Sequence, residues 1–549
     1  MVQAQETADQ ALARPARPAA PLRTRWALLA ALAGGLLLAA AFPPVGAWPL
    51  AVAGPALLVL ALSGRSLRAS CCVGLVFGTA FYFPLLSWVT NVAWYAWLAL
   101  ALASTVIMGV LAIGQRLLLR LPGWPLAVAG WWVAAEAIRD RWPWGGFPWG
   151  RLAMSQAGTP AQGWAAIGGA PLLSFVVALV GAALAWLVLA AWPVRAPLGP
   201  GSRRRRVTRA ATALAGSIVL AVLPVAITLD PVPAGAHTTE VAAIQGNVPR
   251  ARTLAAQLNA LTVTKNHADA TATLARDVAA GRKPAPDLVI WPENSTDIDP
   301  TRYPPVYQEI ASAAAAINRP ILVGAVLQDP VRNASLLWLP GQGPTAAYVK
   351  QKLVPFGEYI PLRSLLSKVT SLTALQPQDF TPGTRNVVFS VGQIRLGSMI
   401  CWEIGFDDLA RSEVAAGANL LAMPSNDATY ERDGETGETG QQLAMARIRA
   451  VEHDRAVVVA STTGYSAIIA PDGRLITTSG TWQQAELEAR VPLVTYTTLA
   501  DRVGAWPEYA IVALTAAALV VAAAGAAAGW SRRRRAVFPL AATADDKPE

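Results

Sequence analysis

The sequence predicts a two-part chain: a bundle of membrane helices, then a layered α/β domain, closed by one more membrane helix. Three observations predict it. The 549 residues are 54% hydrophobic and only 15% charged, with a mean hydropathy of +0.37. Such a composition excludes a soluble globular protein and excludes disorder over most of the length. Acidic residues almost vanish from the first part: from Trp26 to Leu229 only Glu136 and Asp140 occur. Beyond Leu229 the composition changes, and short apolar runs begin to alternate with helical stretches. A chain of this length is expected to hold more than one core.

Eight apolar runs approach the roughly 20 residues that a membrane helix needs. They cover 26–42, 47–63, 70–89, 92–115, 124–140, 164–192, 207–229 and 508–530. Gly and Pro punctuate them, which membrane helices tolerate. Arginines cluster at Arg14, Arg17, Arg23 and Arg25, at Arg65 and Arg68, and at Arg116 and Arg120. Further clusters are Arg203 to Arg206 with Arg209, and Arg532 to Arg535. If all face the cytoplasm, the runs between them cross in pairs. The formal net charge of +10 is then a set of positive-inside anchors, not a nucleic-acid patch. The first basic stretch and apolar run could also form a cleaved signal peptide, but further runs follow at once and favour an uncleaved helix.

This orientation predicts a basic, disordered tail over 1–22 and a membrane domain over 23–229. It places 230–505 outside the cytoplasm, a last span at 506–530 and a cytoplasmic tail at 531–549. Within the outer segment, strands are expected at Glu240 to Ile244, Asp287 to Trp291, Pro320 to Val326, Ile394 to Ile400, Asn419 to Met423 and Ala456 to Ser461. Helices are expected at Thr253 to Ala280, Tyr303 to Ala316 and Gly440 to His453. Alternation of this kind predicts layered α/β architecture.

Three cysteines make no disulfide framework, and Cys71 and Cys72 lie inside an apolar run. His237, His267 and His453 show no metal-ligand spacing, so neither metal nor cofactor is expected. Cys401 closes an apolar strand in GSMICWEIGF, at the rim of a sheet, where it is either inert or reactive. Only six lysines occur, and Lys350 and Lys352 both fall in YVKQKLVPFGEYIP. A lysine kept where arginine is the usual cation marks a surface edge or a site that needs a compact ammonium. Glu293 follows another strand in DLVIWPENST and can act as a base or cap the next helix.

The order Glu, Lys, Cys, each at a strand end, resembles the nitrilase superfamily of C–N hydrolases. WPEN at Glu293, KLVPFGEY after Lys350 and ICWE at Cys401 match its three motif regions. PSNDATY at Pro424 to Tyr430 and the stretch from Ala446 to Gly473 resemble its later segments. With LVPFGEYIP, RWPWGGFPWG at Arg141 to Gly150 and IQGNVP at Ile244 to Pro249, the chain is similar to the apolipoprotein N-acyltransferase family. Trp402 stands where that family commonly has Tyr, ARTLAAQ follows QGNVPR where a Trp is frequent, and GRLAMSQ replaces a more aromatic string.

The resemblance implies an αββα sandwich on the outer face of a bacterial cytoplasmic membrane. It implies transfer of an acyl chain from a phospholipid, through a thioester, to the α-amine of the diacylglyceryl-cysteine of an apolipoprotein. Cys401 would be the nucleophile, Glu293 the base and Lys350 the oxyanion partner. Glu358, Trp402 and Glu403 would support them. Trp142, Trp144, Phe147 and Trp149 suggest an interfacial loop that anchors at headgroups or meets acyl chains. Glu136 is expected to pair with Arg139 at i, i+3. Two other readings exist. A membrane-tethered amidase would share the triad but would need one tether, not eight runs. A transporter would need charges across its spans, and these are nearly absent.

Overall fold

The computed structural model describes residues 20–192, 200–227, 235–249, 260–368, 378–432 and 434–537. The expected tails before Ala20 and after Val537, with Arg14 and Arg17, lie outside these, as does the start of the helix expected from Thr253.

Among the described residues seven apolar helices come first: α1 Thr24–Ala40, α2 Leu50–Leu62, α3 Leu67–Leu85, α4 Trp94–Leu118, α5 Trp124–Arg139, α6 Trp164–Ala191 and α7 Pro200–Ile227. Together with a last helix over Trp506–Val537, they stand where the eight apolar runs were read. Among the described residues five are long and apolar enough to cross a membrane: α3, α4, α6, α7 over Ser202–Val225 and the last helix over Trp506–Ala528. With 17, 13 and 16 residues, α1, α2 and α5 are shorter. Helix α7 begins before the arginine cluster, not after it as expected, because arginine is a good helix former. Helices α1 and α3 touch closely: a Cβ on Gly35 would lie 2.4 Å from the Phe77 carbonyl oxygen. Small residues allow such approach between membrane helices. Helix α6 is kinked at Gly168 and Gly169, just before Pro171.

The α/β part begins with β1 Thr238–Gln245, α8 Ala260–Ala279, β2 Leu288–Ile290, α9 Pro304–Ile317, β3 Ile321–Leu327, β4 Arg332–Leu339 and β5 Gly343–Val349. It continues with β6 Phe389–Val391, β7 Ile394–Ser398, α10 Asp407–Ala415, β8 Leu420–Ser425, α11 Gly437–His453 and β9 Val457–Ser461. β10 Ala467–Ile469, β11 Leu475–Thr478, β12 Ala485–Pro492 and α12 Leu499–Val503 lead into α13, Trp506–Val537. One sheet runs β12-β1-β2-β3-β4-β5 and the other β11-β10-β9-β8-β7-β6. The pairs β1–β2–β3 and β7–β8–β9 are parallel and the outer ones antiparallel.

The strand period explains the layering. Along β1, Val241 and Ala243 pack toward the other sheet, while Ala242 and Ile244 pack against α8 and α9. Two sheets face each other with helices outside, an αββα sandwich. The six expected strands are all present. The strand ending at Lys350 is β5, and the sequence reading missed β4, β6, β10, β11 and β12. Several of these are short or, like β12 with AELEARVP, half-buried edges carrying charge.

Candidate active site

Glu293, Lys350 and Cys401 each follow the end of a strand, β2, β5 and β7, on facing sheets. Folding brings all three to one end of the sandwich. Glu293 leaves β2 after the Trp291–Pro292 break and is 5% exposed. The chain there is pressed against β3: a Cβ on Gly324 would stand 2.1 Å from the Pro292 oxygen. Only glycine fits that approach.

Lys350 is 1% exposed. Its Nζ donates to Glu293 Oε1 at 2.8 Å and to Glu358 Oε1 at 3.0 Å. Asn333 Nδ2 donates to the same two oxygens at 2.6 and 2.8 Å. Glu293 Oε2 accepts the Asn426 amide N–H at 3.0 Å, and Glu358 Oε2 accepts that of Val354 at 2.8 Å. Burial works against the ammonium, but the flanking carboxylates of Glu293 and Glu358 hold its pKa well above the ordinary lysine value. Lys350 therefore stays charged.

Cys401 opens a 3₁₀ turn, Cys401–Gly405, with φ of 51° and 4% exposure. A left-handed φ at a non-glycine residue is held only where its surroundings impose it. Glu403 supplies much of that constraint. Its carboxylate accepts the N–H of Ile400 at 2.8 Å, Gln351 at 2.7 Å and Lys352 at 3.0 Å, and the Tyr348 hydroxyl at 2.9 Å. It thus staples the Lys350 loop to the Cys401 turn and does not touch the sulfur by hydrogen bond. Burial pushes the Glu403 carboxyl up to about 7, against the pull of its backbone donors. Burial, then the Glu293 carboxylate, push the Cys401 thiol well above its ordinary value, with Lys350 opposing. At rest the sulfur is a thiol, with the Glu293 carboxyl and the Lys350 ammonium as its partners in the site. Such a set can move the thiol proton to a carboxylate and place a positive charge beside a developing oxyanion.

The membrane part forms the floor under this turn. Trp402 stacks on Trp149 at 4.8 Å and meets Phe147 at 5.6 Å. Trp149 also meets Trp88, which packs on Tyr430 at 5.5 Å. Phe147 and Trp149 turn inward, while Trp142 and Trp144 of the same loop stay exposed. The expected Glu136–Arg139 pair is not made. Glu136 accepts from Trp132 Nε1 at 3.0 Å and Leu152 N at 2.8 Å, whereas Arg139 reaches across to the Tyr82 hydroxyl.

Three groups in contact with the triad escaped the sequence reading: Asn333, Asn426 and Gln442, whose Nε2 lies 3.5 Å from Cys401 Sγ. Two signals were available: Asn333 heads the buried apolar run ASLLWL, and Asn426 lies in PSNDATY. Among the described residues no cluster of His, Cys, Asp or Glu could hold a metal.

A membrane-helical domain joined to a Glu–Lys–Cys sandwich defines a membrane-bound enzyme of the carbon–nitrogen hydrolase class. Residues 34–183 match the family model of the apolipoprotein N-acyltransferase N-terminal domain, and residues 240–514 match that of carbon-nitrogen hydrolases. The apolipoprotein N-acyltransferase of Mycolicibacterium smegmatis is 42% identical over 87% of this chain and 82% of its own length. That of Azotobacter vinelandii is 31% identical over 88% of this chain and 93% of its own. An amidase of the nitrilase superfamily from Nesterenkonia, 18% identical, covers 48% of this chain and 93% of its own with a TM-score of 0.35. The chain belongs to the apolipoprotein N-acyltransferase family, and it is an acyltransferase and a membrane protein.

Proposed function

We propose that this enzyme takes an acyl chain from a membrane phospholipid onto Cys401 and passes it to the α-amine of the diacylglyceryl-cysteine of an apolipoprotein. The observation that carries the reading is the Cys401 turn, set beside Glu293 and Lys350 and stacked on the membrane domain through Trp402 and Trp149. Glu293 takes the thiol proton. The thiolate attacks the ester carbonyl carbon, and the tetrahedral oxyanion forms beside Lys350. The ester C–O bond breaks, and Glu293 returns the proton to the leaving lyso-phospholipid. The acceptor amine then attacks the thioester and gives a proton to Glu293; the C–S bond breaks to leave the amide, and Glu293 passes that proton to the departing Cys401 thiolate, restoring the free thiol. A site whose floor is built from membrane-domain aromatics suits two lipid substrates. A small-amide amidase has no use for that floor, and the relatives matched over most of this chain are named N-acyltransferases.

The catalytic domain lies on the outer face of the cytoplasmic membrane in this reading, with 1–22 and 531–549 on the cytoplasmic side. The arginine clusters at the ends of alternate helices support it.

The test is mass spectrometry of the purified enzyme after incubation with phospholipid. Wild type should carry one acyl mass on Cys401 and release it to a diacylglyceryl peptide as an amide. A Cys401→Ala variant that still acylates the peptide would sink the reading.

A further inference from the structure

We propose that Gln442 is a further catalytic residue: its side-chain amide donates a hydrogen bond to the Cys401 sulfur and stabilises the thiolate through which acyl transfer passes. The proposal rests on Cys401 as the nucleophile. Gln442 lies on α11, 3% exposed, with Nε2 3.5 Å from Sγ, within reach for a sulfur acceptor. Among the described residues it is the one side-chain donor in hydrogen-bond contact with that sulfur.

The amide is locked in orientation. Its second N–H goes to Glu438 Oε1, one helical turn earlier, and its Oε1 accepts from Ser425 Oγ at 3.0 Å, at the end of β8. Glu438 is 1% exposed and stands near Asp427, also 1% exposed, close enough for each carboxyl to act on the other's titration. Two buried carboxyls this close cannot both ionise without a cation, and none pairs with either among the described residues. Asp427 is already the acceptor for Ser461 Oγ and for Thr439 Oγ1 at 3.3 Å. The shared proton therefore sits on Glu438 and points to Asp427. That leaves Glu438 Oε1 as a pure acceptor, so it turns the N–H side of Gln442, not its oxygen, toward Cys401.

The sulfur needs this donor. The titratable groups that face it are Glu293, Lys350, Glu438, Asp427 and Tyr430. Two of the three Lys350 N–H groups are already committed to Glu293 and Glu358. Thiolate forms when Cys401 gives up its proton and again when the acceptor amine displaces it from the thioester. Gln442 therefore acts in both half-reactions.

The experiment measures alkylation of Cys401 by iodoacetamide against pH in the full-length enzyme in detergent. The other two cysteines are replaced by Ala. Gln442→Met keeps the shape and removes the donor. Gln442→Asn keeps the amide but withdraws it, so a folding failure of one variant leaves the other readable. Each should raise the apparent thiol pKa by about one unit, a tenfold loss of thiolate below it, and slow acyl-enzyme formation to match. Glu438→Leu should shift the pKa the same way, and Glu438→Gln, the neutral isostere, should restore it. A purely structural Gln442 would cost stability and leave the thiol pKa in place. An unshifted pKa in the folded Gln442 variants overturns the inference, as does a Glu438→Gln shift equal to that of Glu438→Leu. Transfer surviving in Cys401→Ala would instead overturn the nucleophile itself.

Discussion

Arg151 and Asp407 meet through two bonds, Nη1 to Oδ1 at 2.6 Å and Nη2 to Oδ2 at 3.0 Å, and join the membrane helices to the turn that carries Cys401. Arg151, 3% exposed, also reaches Asp140 at the end of α5, with Nε to Oδ2 at 3.2 Å. On the other side Asp407 takes the guanidinium of Arg449, which donates to the carbonyl oxygens of Ile404 and Gly405 at 3.0 and 3.2 Å. Those two residues end the Cys401 turn. Burial alone would raise the Asp407 carboxyl, but Arg151 and Arg449 hold it far below its ordinary value. The Cys401 turn is thus tied to the membrane domain by charge as well as by the Trp402–Trp149 stack.

Asp407→Asn should therefore do more than remove one pair. It leaves two buried guanidiniums under-compensated, a loss of about 3–5 kcal/mol for a buried pair broken on one side. The neighbouring Asp408 pairs with Lys352 at the surface, and Asp408→Asn should cost about 0.5 kcal/mol or less. Thermal unfolding of both variants in detergent, with the rate of acyl-enzyme formation, compares them. Equal behaviour of the two would mean that Asp407 couples nothing.

A second prediction concerns pH. Glu413 on α10 is 1% exposed, and among the described residues neither carboxylate oxygen has a hydrogen-bond partner. Burial, then the nearby Glu403, push it up to about 8. The folded state therefore holds this proton more tightly than the unfolded chain, whose glutamate titrates near about 4.3. The stability it contributes is full below that value and is lost as pH rises through about 8. The loss is at most about 1.4 kcal/mol per pH unit. Glu413→Gln should flatten the fall in unfolding temperature between about pH 5 and pH 8. A wild-type profile already flat there would contradict the assignment.

What the sequence shows and hides follows from distance along the chain. Glu293, Lys350 and Cys401 were legible because each ends a strand and sits in its own short motif. Glu358 was legible as the lysine's partner eight residues on, and it is. Glu403 was expected to support the site from beside Cys401. Its carboxylate works on the backbone of the Lys350 loop, a contact no local pattern encodes. Asn333, Gln442 and the Arg151–Asp407–Arg449 chain were hidden for the same reason: each meets its partner only when two sheets and a membrane helix close on one another. The pairing of β1 with β12, Glu240 against Arg490, is equally remote.

A third prediction tests orientation. Reporter fusions after Arg206 and after Arg535 should read as cytoplasmic, and one at Thr301 as external. The arginines at the ends of alternate helices motivate this. A cytoplasmic signal at Thr301 would reverse the topology, and the access of Cys401 to the outer leaflet with it.

The fourth prediction separates Lys350 from Lys352. Two residues apart on a regular strand, they would point the same way. The strand does not continue: β5 stops at Val349. The Lys350 N–H still bonds to the Asn333 oxygen at 2.9 Å, but the next two N–H groups turn to Glu403. Lys350 goes inward, between Glu293 and Glu358. Lys352 goes outward, with a side chain 37% exposed, 3.0 Å from Asp408 and over the Phe406 ring at 5.3 Å. Lys350→Arg keeps the charge but needs space for a planar guanidinium where Asn333 already bonds to both carboxylates. It should slow acyl-enzyme formation by about 10²-fold or more, the scale of losing one oxyanion donor. Lys352→Arg can keep both its surface pair and its ring contact, and the rate should stay within about twofold, since an exposed pair is worth little. Formation of the acyl-enzyme from a phospholipid donor in detergent measures both. If Lys352→Arg were the inactive variant and Lys350→Arg the active one, the cation at the reacting carbonyl would be Lys352, and the roles given to Glu293 and Glu358 around Lys350 would fall with it.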